Sequence, residues 1–206
     1  MSLVSATGAT EQTTTVIIGA GLSGLAVATE LRQRGVDAIV VDGLGGGATT
    51  SPVTAPLQRC DAAASASHEE RGEILRHLRN YAASHQLDIR PTTRAFQLTM
   101  RSEDSPAPLW EVHTPTGVLL AHTIVLTRCA QSQLRRMLSD FGVTVGQNLV
   151  AAMRAIGIYL VGVGDLVTPS PKDVLRQAKT VCQAISNSAA PLQVNAGFSG
   201  SAELRA

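Results

Sequence analysis

The segment Gly19-Ala20-Gly21-Leu22-Ser23-Gly24 restricts what this chain can fold into more than any other stretch. It follows the β-branched run 14–18, and after it Leu22, Leu25, Ala26, Ala28 and Leu31 recur at helical spacing. Arg32, Arg34 and then Gly35 close that helix, because cations suit a helix C-terminus and glycine suits the left-handed residue beyond it. Residues 38–41 form a second apolar strand ending at Asp42. Strand, glycine turn, helix and strand within about 30 residues make a βαβ unit.

In that setting each position of the turn has a physical task. Gly19 permits the tight turn, Gly21 lets the backbone approach a pyrophosphate, and Gly24 allows the helix to pack closely on the strand. The N–H groups of Leu22, Ser23 and Gly24 open the helix without intrahelical partners and point partial positive charge at a phosphate. Asp42 lies 18 residues after Gly24, where an acidic side chain accepts hydrogen bonds from a ribose hydroxyl. An acidic residue there disfavours a 2′-phosphate, so NADP is not expected in this site.

The rest of the chain reads as a continuation of the same sheet. Residues 43–56 hold Gly45-Gly46-Gly47 and two prolines and are expected to be a loop. Ile74, Leu75, Leu78, Tyr81 and Ala82 share one face of an expected helix over 69–85, with Glu69, Glu70 and Glu73 toward its N-terminus. After a short strand at 88–90, residues 95–101, 109–114 and 118–122 predict a three-stranded antiparallel meander, and 123–127 a separate apolar strand. A helix over 133–141, a strand over 157–163 and a final helix over 172–188 complete the order. Ser170 is the expected N-cap of that last helix, Pro171 its first residue, and Val174, Ala178, Val181 and Ile185 its buried stripe. The expected division is a mobile leader 1–12, a single domain 13–188 and a tail 189–206.

Composition excludes several function classes. The 206 residues carry 17 basic and 16 acidic side chains with no Lys/Arg stripe, which gives no electrostatic footprint for nucleic acid. Cys60, Cys129 and Cys182 are far apart with no CxxC pair, which argues against a structural zinc site, a disulfide framework or a redox dithiol. His68, His77, His85, His113 and His122 show no ligand spacing, and no Ser-His-Asp order or carboxylate pair stands out. Without a signal-like N-terminus or an uninterrupted apolar run of about 18 residues, a cytoplasmic protein off the membrane is expected. Any reaction is then carried by a cofactor.

Which dinucleotide is bound turns on the second strand end. Residues 157–165, reading GIYLVGVGD and followed by a loop and a helix, are similar to the second flavin motif of flavoproteins with two dinucleotide domains. From 14 to 188 the succession of fingerprint, aspartate, glycine loop, helix, meander, TIVLT strand and GVGD strand resembles flavin-containing monooxygenases and their NAD(P)H-dependent flavoprotein relatives. The resemblance implies FAD, with its adenylate and pyrophosphate on Gly19, Gly21, Leu22, Ser23 and Gly24, its ribose on Asp42 and its ribityl end near Gly164 and Asp165. It also implies that the final helix turns its N-terminus to the flavin pyrimidine, where it favours negative charge on the reduced ring. The chain departs from those relatives in three places. Only about 30 residues separate Thr127 from Gly157, where they insert an NADPH domain; Thr127-Arg128-Cys129 stands near their ATG turn; and Thr49-Thr50-Ser51 replaces their Trp-Arg.

The expectation is therefore an α/β fold: a Rossmann-like FAD-binding domain with a parallel sheet and an antiparallel β-meander crossover. The leading function is a minimal flavoprotein of oxidoreductase type, reduced by an electron-donor protein or a free nicotinamide nucleotide. A non-catalytic FAD-binding or interaction subunit and a plain NAD-binding Rossmann protein are the alternatives. An exposed sheet edge makes a homo-oligomer the other candidate partnership.

Overall fold

The structure is a computed structural model, and it describes residues 9–44, 62–101, 109–127, 149–162 and 169–194. Seven strands form one sheet: β1 (Ala9–Ile18), β2 (Ala38–Leu44), β3 (Asp88–Ala95), β4 (Gln97–Arg101), β5 (Leu109–Thr114), β6 (Gly117–Leu126) and β7 (Ile158–Leu160). The described helices are α1 (Leu22–Gln33), α2 (Ala62–Ser84), α3 (Leu149–Ala155) and α4 (Pro171–Val194). The sheet runs β3-β2-β1-β6-β5-β4, with β7 added to β6. The β1–β2, β2–β3, β1–β6 and β6–β7 pairs are parallel, and the β4–β5 and β5–β6 pairs antiparallel. The α/β class with its parallel sheet and meander is as the sequence indicates.

The expected third meander strand and the expected TIVLT strand are one element. No turn former stands between His122 and Thr123, so β6 continues straight through. Its first half pairs antiparallel with β5 through Gly117–Ala121, and its second half pairs parallel with β7 through Ile124–Leu126. β1 lies along the whole of its other edge. That pairing also explains why β1 begins at Ala9, ahead of the expected residue 14: Ala9 to Gln12, assigned to the leader, take Gly117 to Leu120 as partners despite being exposed. At the other end α4 continues to Val194, six residues into the expected tail.

Two apolar clusters cover the two faces. On one, Ile17, Val40, Val125, Tyr159 and Val161 meet Leu22, Ala26 and Leu31 of α1 and Val174, Ala178, Cys182 and Ile185 of α4. The predicted stripe of the last helix is thus its buried face. On the other, Val16, Ile18, Ile39, Val41, Ile124 and Leu126 meet Leu98, Trp110 and Val112 from the meander and Met153 from α3. Trp110 is fully buried and its indole N–H donates to the Ile156 carbonyl at 2.8 Å, which removes the cost of burying that donor.

The helix ends show which local signals act. At α1, Val36 N–H donates to Leu31 O and Gly35 N–H to Arg32 O, with Gly35 at φ +70°, the double bond of a Schellman end. α2 ends the same way with a different residue: Leu87 N–H donates to Ala82 O, and Gln86 sits at φ +50°. At α4, Pro171 opens the helix and Ser170 Oγ accepts the Asp173 N–H at 3.2 Å, as expected of an N-cap. The Ser170 hydroxyl donates back to Asp173 Oδ2 at 2.7 Å.

Candidate functional site

The strand order fixes where a ligand can sit. From β1 the chain steps outward to β2 and β3, then crosses to β4 at the opposite edge and returns through β5 to β6 on the other side of β1, so the topological switch point lies between β1 and β6. In open α/β sheets the crevice at the carboxyl ends of the strands there is the ligand position. Ile18 ends β1 and Leu126 ends β6 as register partners, and the glycine turn starts immediately beyond Ile18.

Hydrogen bonds to Val41 and to Thr127 hold the turn. Gly19 N–H donates to Val41 O at 2.8 Å, tying it to β2. Thr127 ties it to β6 twice: its N–H donates to Ile18 O at 3.0 Å, and its hydroxyl lies 3.0 Å from Ile18 O and 3.2 Å from Gly19 O. Thr127 is buried, so the hydroxyl is desolvated and its donor is satisfied by the Ile18 and Gly19 carbonyls. The sequence reading treats Thr127 as part of a departure from a familiar turn. In the structure its side chain pins the fingerprint in place.

The two glycines that flank the start of α1 do different things. A Cβ on Gly24 would lie 1.8 Å from Gly19 O, so no side chain fits there and the helix can rest directly on the turn. A Cβ on Gly21 would have nothing within 4 Å, and Gly21 is exposed. Gly21 is the N-cap residue and no side chain caps the helix, whose first turn carries no acidic residue. The result is an uncapped helix N-terminus that opens on space, the arrangement that receives a phosphate. Ser23 packs on the far side against Gly162, which follows β7: a Cβ on Gly162 would lie 2.2 Å from Ser23 Oγ, and Gly162 has φ +71°. Gly162 N–H donates to Gln177 Oε1 of α4 at 2.9 Å, so the exit from β7 is held beside the fingerprint. Gly162 belongs to the GIYLVGVGD motif, whereas Gln177 carried no sequence signal for this role.

Asp42 stands near the end of β2, and its carboxylate accepts from Arg94 Nε at 3.0 Å. Arg94 belongs to β3, and a register irregularity places it there: between the Val41–Arg90 and Gly43–Arg94 pairs β2 advances two residues and β3 four. Pro91 falls in this irregular stretch, which suits an edge strand because proline has no N–H to give. The structure thus brings Gly19, Gly21, Leu22, Ser23 and Gly24 together at one strand end and sets Asp42 on the neighbouring strand. Gly164 and Asp165 lie outside the described residues, as do the Gly45–Gly47 loop, Cys60, Arg128, Cys129 and the helix expected over 133–141.

The remaining candidate chemistry is quiet. Cys182 is fully buried against Val27 O, and burial pushes its thiol up to about 12, so it is a packing residue. Arg90 of β3 bonds Asp88 and Glu11, whose carboxylates hold its pKa above the ordinary arginine value. Among the described residues no group of three His, Cys, Asp or Glu side chains is placed to hold a metal. No described helix is long and apolar enough to cross a membrane.

Residues 17–82 match the family described as the NAD(P)-binding Rossmann-like domain. A search of curated proteins gives no match. Among solved structures, a thioredoxin reductase from Gloeobacter violaceus is 16% identical at a TM-score of 0.38, with 58% of this chain and 35% of that chain covered. The bacillithiol disulfide reductase of Staphylococcus aureus is 19% identical at 0.39, covering 58% and 39%. A flavin-containing monooxygenase from Stenotrophomonas maltophilia is 19% identical at 0.36, covering 56% and 38%. The matched part spans little more than a third of each of these structures. Residues 17–82 are thus similar to the NAD(P)-binding Rossmann-like domain and lie within a larger mixed α/β sheet.

Proposed function

We propose that this chain binds FAD and serves as a flavoprotein of oxidoreductase type, reduced by an electron-donor protein or a free nicotinamide nucleotide. The observation that carries the reading is the uncapped N-terminus of α1 at the switch point, with open space where Gly21 would carry a Cβ. Those residues fit a dinucleotide. The N–H groups of Leu22, Ser23 and Gly24 would hold the pyrophosphate, and Asp42 would accept a ribose hydroxyl through the carboxylate oxygen that Arg94 leaves free. The choice of flavin follows the GVGD resemblance, with Gly164 and Asp165 toward the ribityl end. The approach of Gly162 to Ser23 supports it, because it draws the start of that segment up to the pyrophosphate site. When bound, the isoalloxazine ring supplies the electron transfer; the protein supplies binding, orientation and electrostatics.

The N-terminus of α4, capped by Ser170, would stabilise negative charge on the reduced ring. The family match over residues 17–82 also suits NAD, and identity of the nucleotide separates the two. Heat release from the purified protein followed by chromatography is the test. FAD is the expected product; FMN, or NAD with no visible absorbance, would overturn the flavoprotein reading.

A further inference from the structure

We infer that a cavity between α3, β7 and α4 is a second ligand site, one that takes a small organic anion with an apolar body, of the aliphatic carboxylate class. Its volume is about 430 Å³, within the range of small-molecule sites. None of its lining residues belongs to the glycine turn or to the Asp42 end of β2. Leu160 of β7, Pro169, and Val181 of α4 supply apolar wall, while Arg154 of α3 and Arg176 and Gln177 of α4 supply the polar groups open to a ligand.

Those polar groups are donors. Arg154 has no side-chain hydrogen bond or ion pair among the described residues. Arg176 bonds Asp173 through one terminal nitrogen, which leaves its Nε and its other terminal nitrogen open. Gln177 Oε1 accepts the Gly162 N–H at 2.9 Å, so the amide N–H groups are what Gln177 has left to offer. The acceptors on the lining are already engaged. The Asp173 carboxylate accepts from the Ser170 hydroxyl at 2.7 Å and from Arg176, and the Thr180 hydroxyl donates to Arg176 O at 3.1 Å. Two guanidinium ions and one carboxylate give the described lining a net charge of +1.

This arrangement selects by charge and by shape. A cation would face two guanidinium ions, and an uncharged ligand would gain little from them. A carboxylate presents two oxygens that match a guanidinium fork. Arg154, Arg176 and Gln177 are exposed, so the charged end of the ligand stays at the mouth, and its hydrocarbon body lies against Leu160 and buried Val181. The path from the cavity to the glycine turn is short: Gln177 lines the cavity and holds Gly162, which packs against Ser23.

Calorimetric titration of the full chain with octanoate, octanol and octylamine, which share a body and differ in charge, tests the assignment. Wild type should bind octanoate at least about tenfold more tightly than either of the others. Arg154→Gln and Arg176→Gln should each weaken octanoate by about tenfold, the scale of a lost charge-assisted hydrogen bond, and leave octanol unchanged. Gln177→Glu keeps an acceptor for the Gly162 N–H and removes the amide donor, so it too should weaken octanoate by about tenfold or more without changing octanol. All three side chains are exposed, and an unaltered midpoint of thermal unfolding shows that each variant is folded. No binding of octanoate to wild type, equal binding of octanoate and octanol, or wild-type octanoate affinity in a variant carrying both Arg154→Gln and Arg176→Gln would overturn the assignment.

Discussion

Gly24→Ala and Gly21→Ala separate what the fingerprint does for the fold from what it does for the ligand. In the first variant one methyl group is placed 1.8 Å from Gly19 O and 3.0 Å from its carbonyl carbon. Ordinary contact begins near 3.4 Å, so helix and turn must part by about 1.6 Å. Neither can yield cheaply. Gly19 is held to Val41 at 2.8 Å and to Thr127 at 3.2 Å, while Leu25, Ala26 and Val27 just beyond Gly24 are buried. The cost belongs at the upper end of overpacking, about 3 kcal/mol, which lowers the midpoint of thermal unfolding by roughly 6–12 °C for a chain of this size.

Gly21→Ala adds the same methyl group where nothing lies within 4 Å and where φ is −85°, so stability should change by less than about 0.5 kcal/mol. That methyl group does occupy the space the pyrophosphate needs, and FAD affinity should fall by about tenfold or more. Urea denaturation followed by circular dichroism, with flavin titration of each variant, measures both effects. Wild-type stability in Gly24→Ala, or wild-type FAD affinity in Gly21→Ala, would refute the reasoning.

Ser170→Ala should cost about 1 kcal/mol by removing the α4 N-cap. The Ser170 hydroxyl, followed by Arg176, holds the Asp173 carboxyl below the usual carboxylate range, so its contribution is full above that range and is lost as pH falls through the lowered pKa. The wild-type advantage over Ser170→Ala should therefore shrink in acid, as denaturation midpoints across pH would show. Gln86→Gly should stabilise the chain by roughly 0.5–1 kcal/mol, because Gln86 occupies a left-handed position at φ +50° after α2; an unchanged urea midpoint would contradict this. Cys182 should react with a thiol reagent only on unfolding, since its thiol is buried and pushed up to about 12; rapid labelling of Cys182 in the native protein, mapped by mass spectrometry, would count against that packing.

The βαβ unit was legible because its signals are local: glycine spacing, a switch from strand to helix periodicity, and Gly35 as a helix stop. The α4 stripe and its Ser170 cap were legible for the same reason. What escaped depends on chain segments meeting far apart in sequence. Ala9 to Gln12 carry no apolar alternation and are strand only because β6 offers partners. Gln86 ends α2 in the conformation glycine prefers, and its residue type announces nothing.

At the site, the glycine turn and Asp42 could be read directly, whereas Arg94 could not, because its place beside Asp42 follows from an irregularity in the β2–β3 register. Thr127 was visible but misjudged, since only the structure shows its hydroxyl reaching back 108 and 109 residues to the turn.

The central claim is that this chain reads the adenosine and pyrophosphate half of a flavin dinucleotide. Titration of the nucleotide-free protein with FAD and with FMN, followed by flavin fluorescence, tests it most directly, because the two share the flavin and differ in the half assigned to Gly21, Ser23, Gly24 and Asp42. FAD should bind at least about a hundredfold more tightly than FMN, the sum of a lost pyrophosphate contact and a lost ribose hydrogen bond. Equal affinity for the two flavins, or no binding of FAD, would contradict the account.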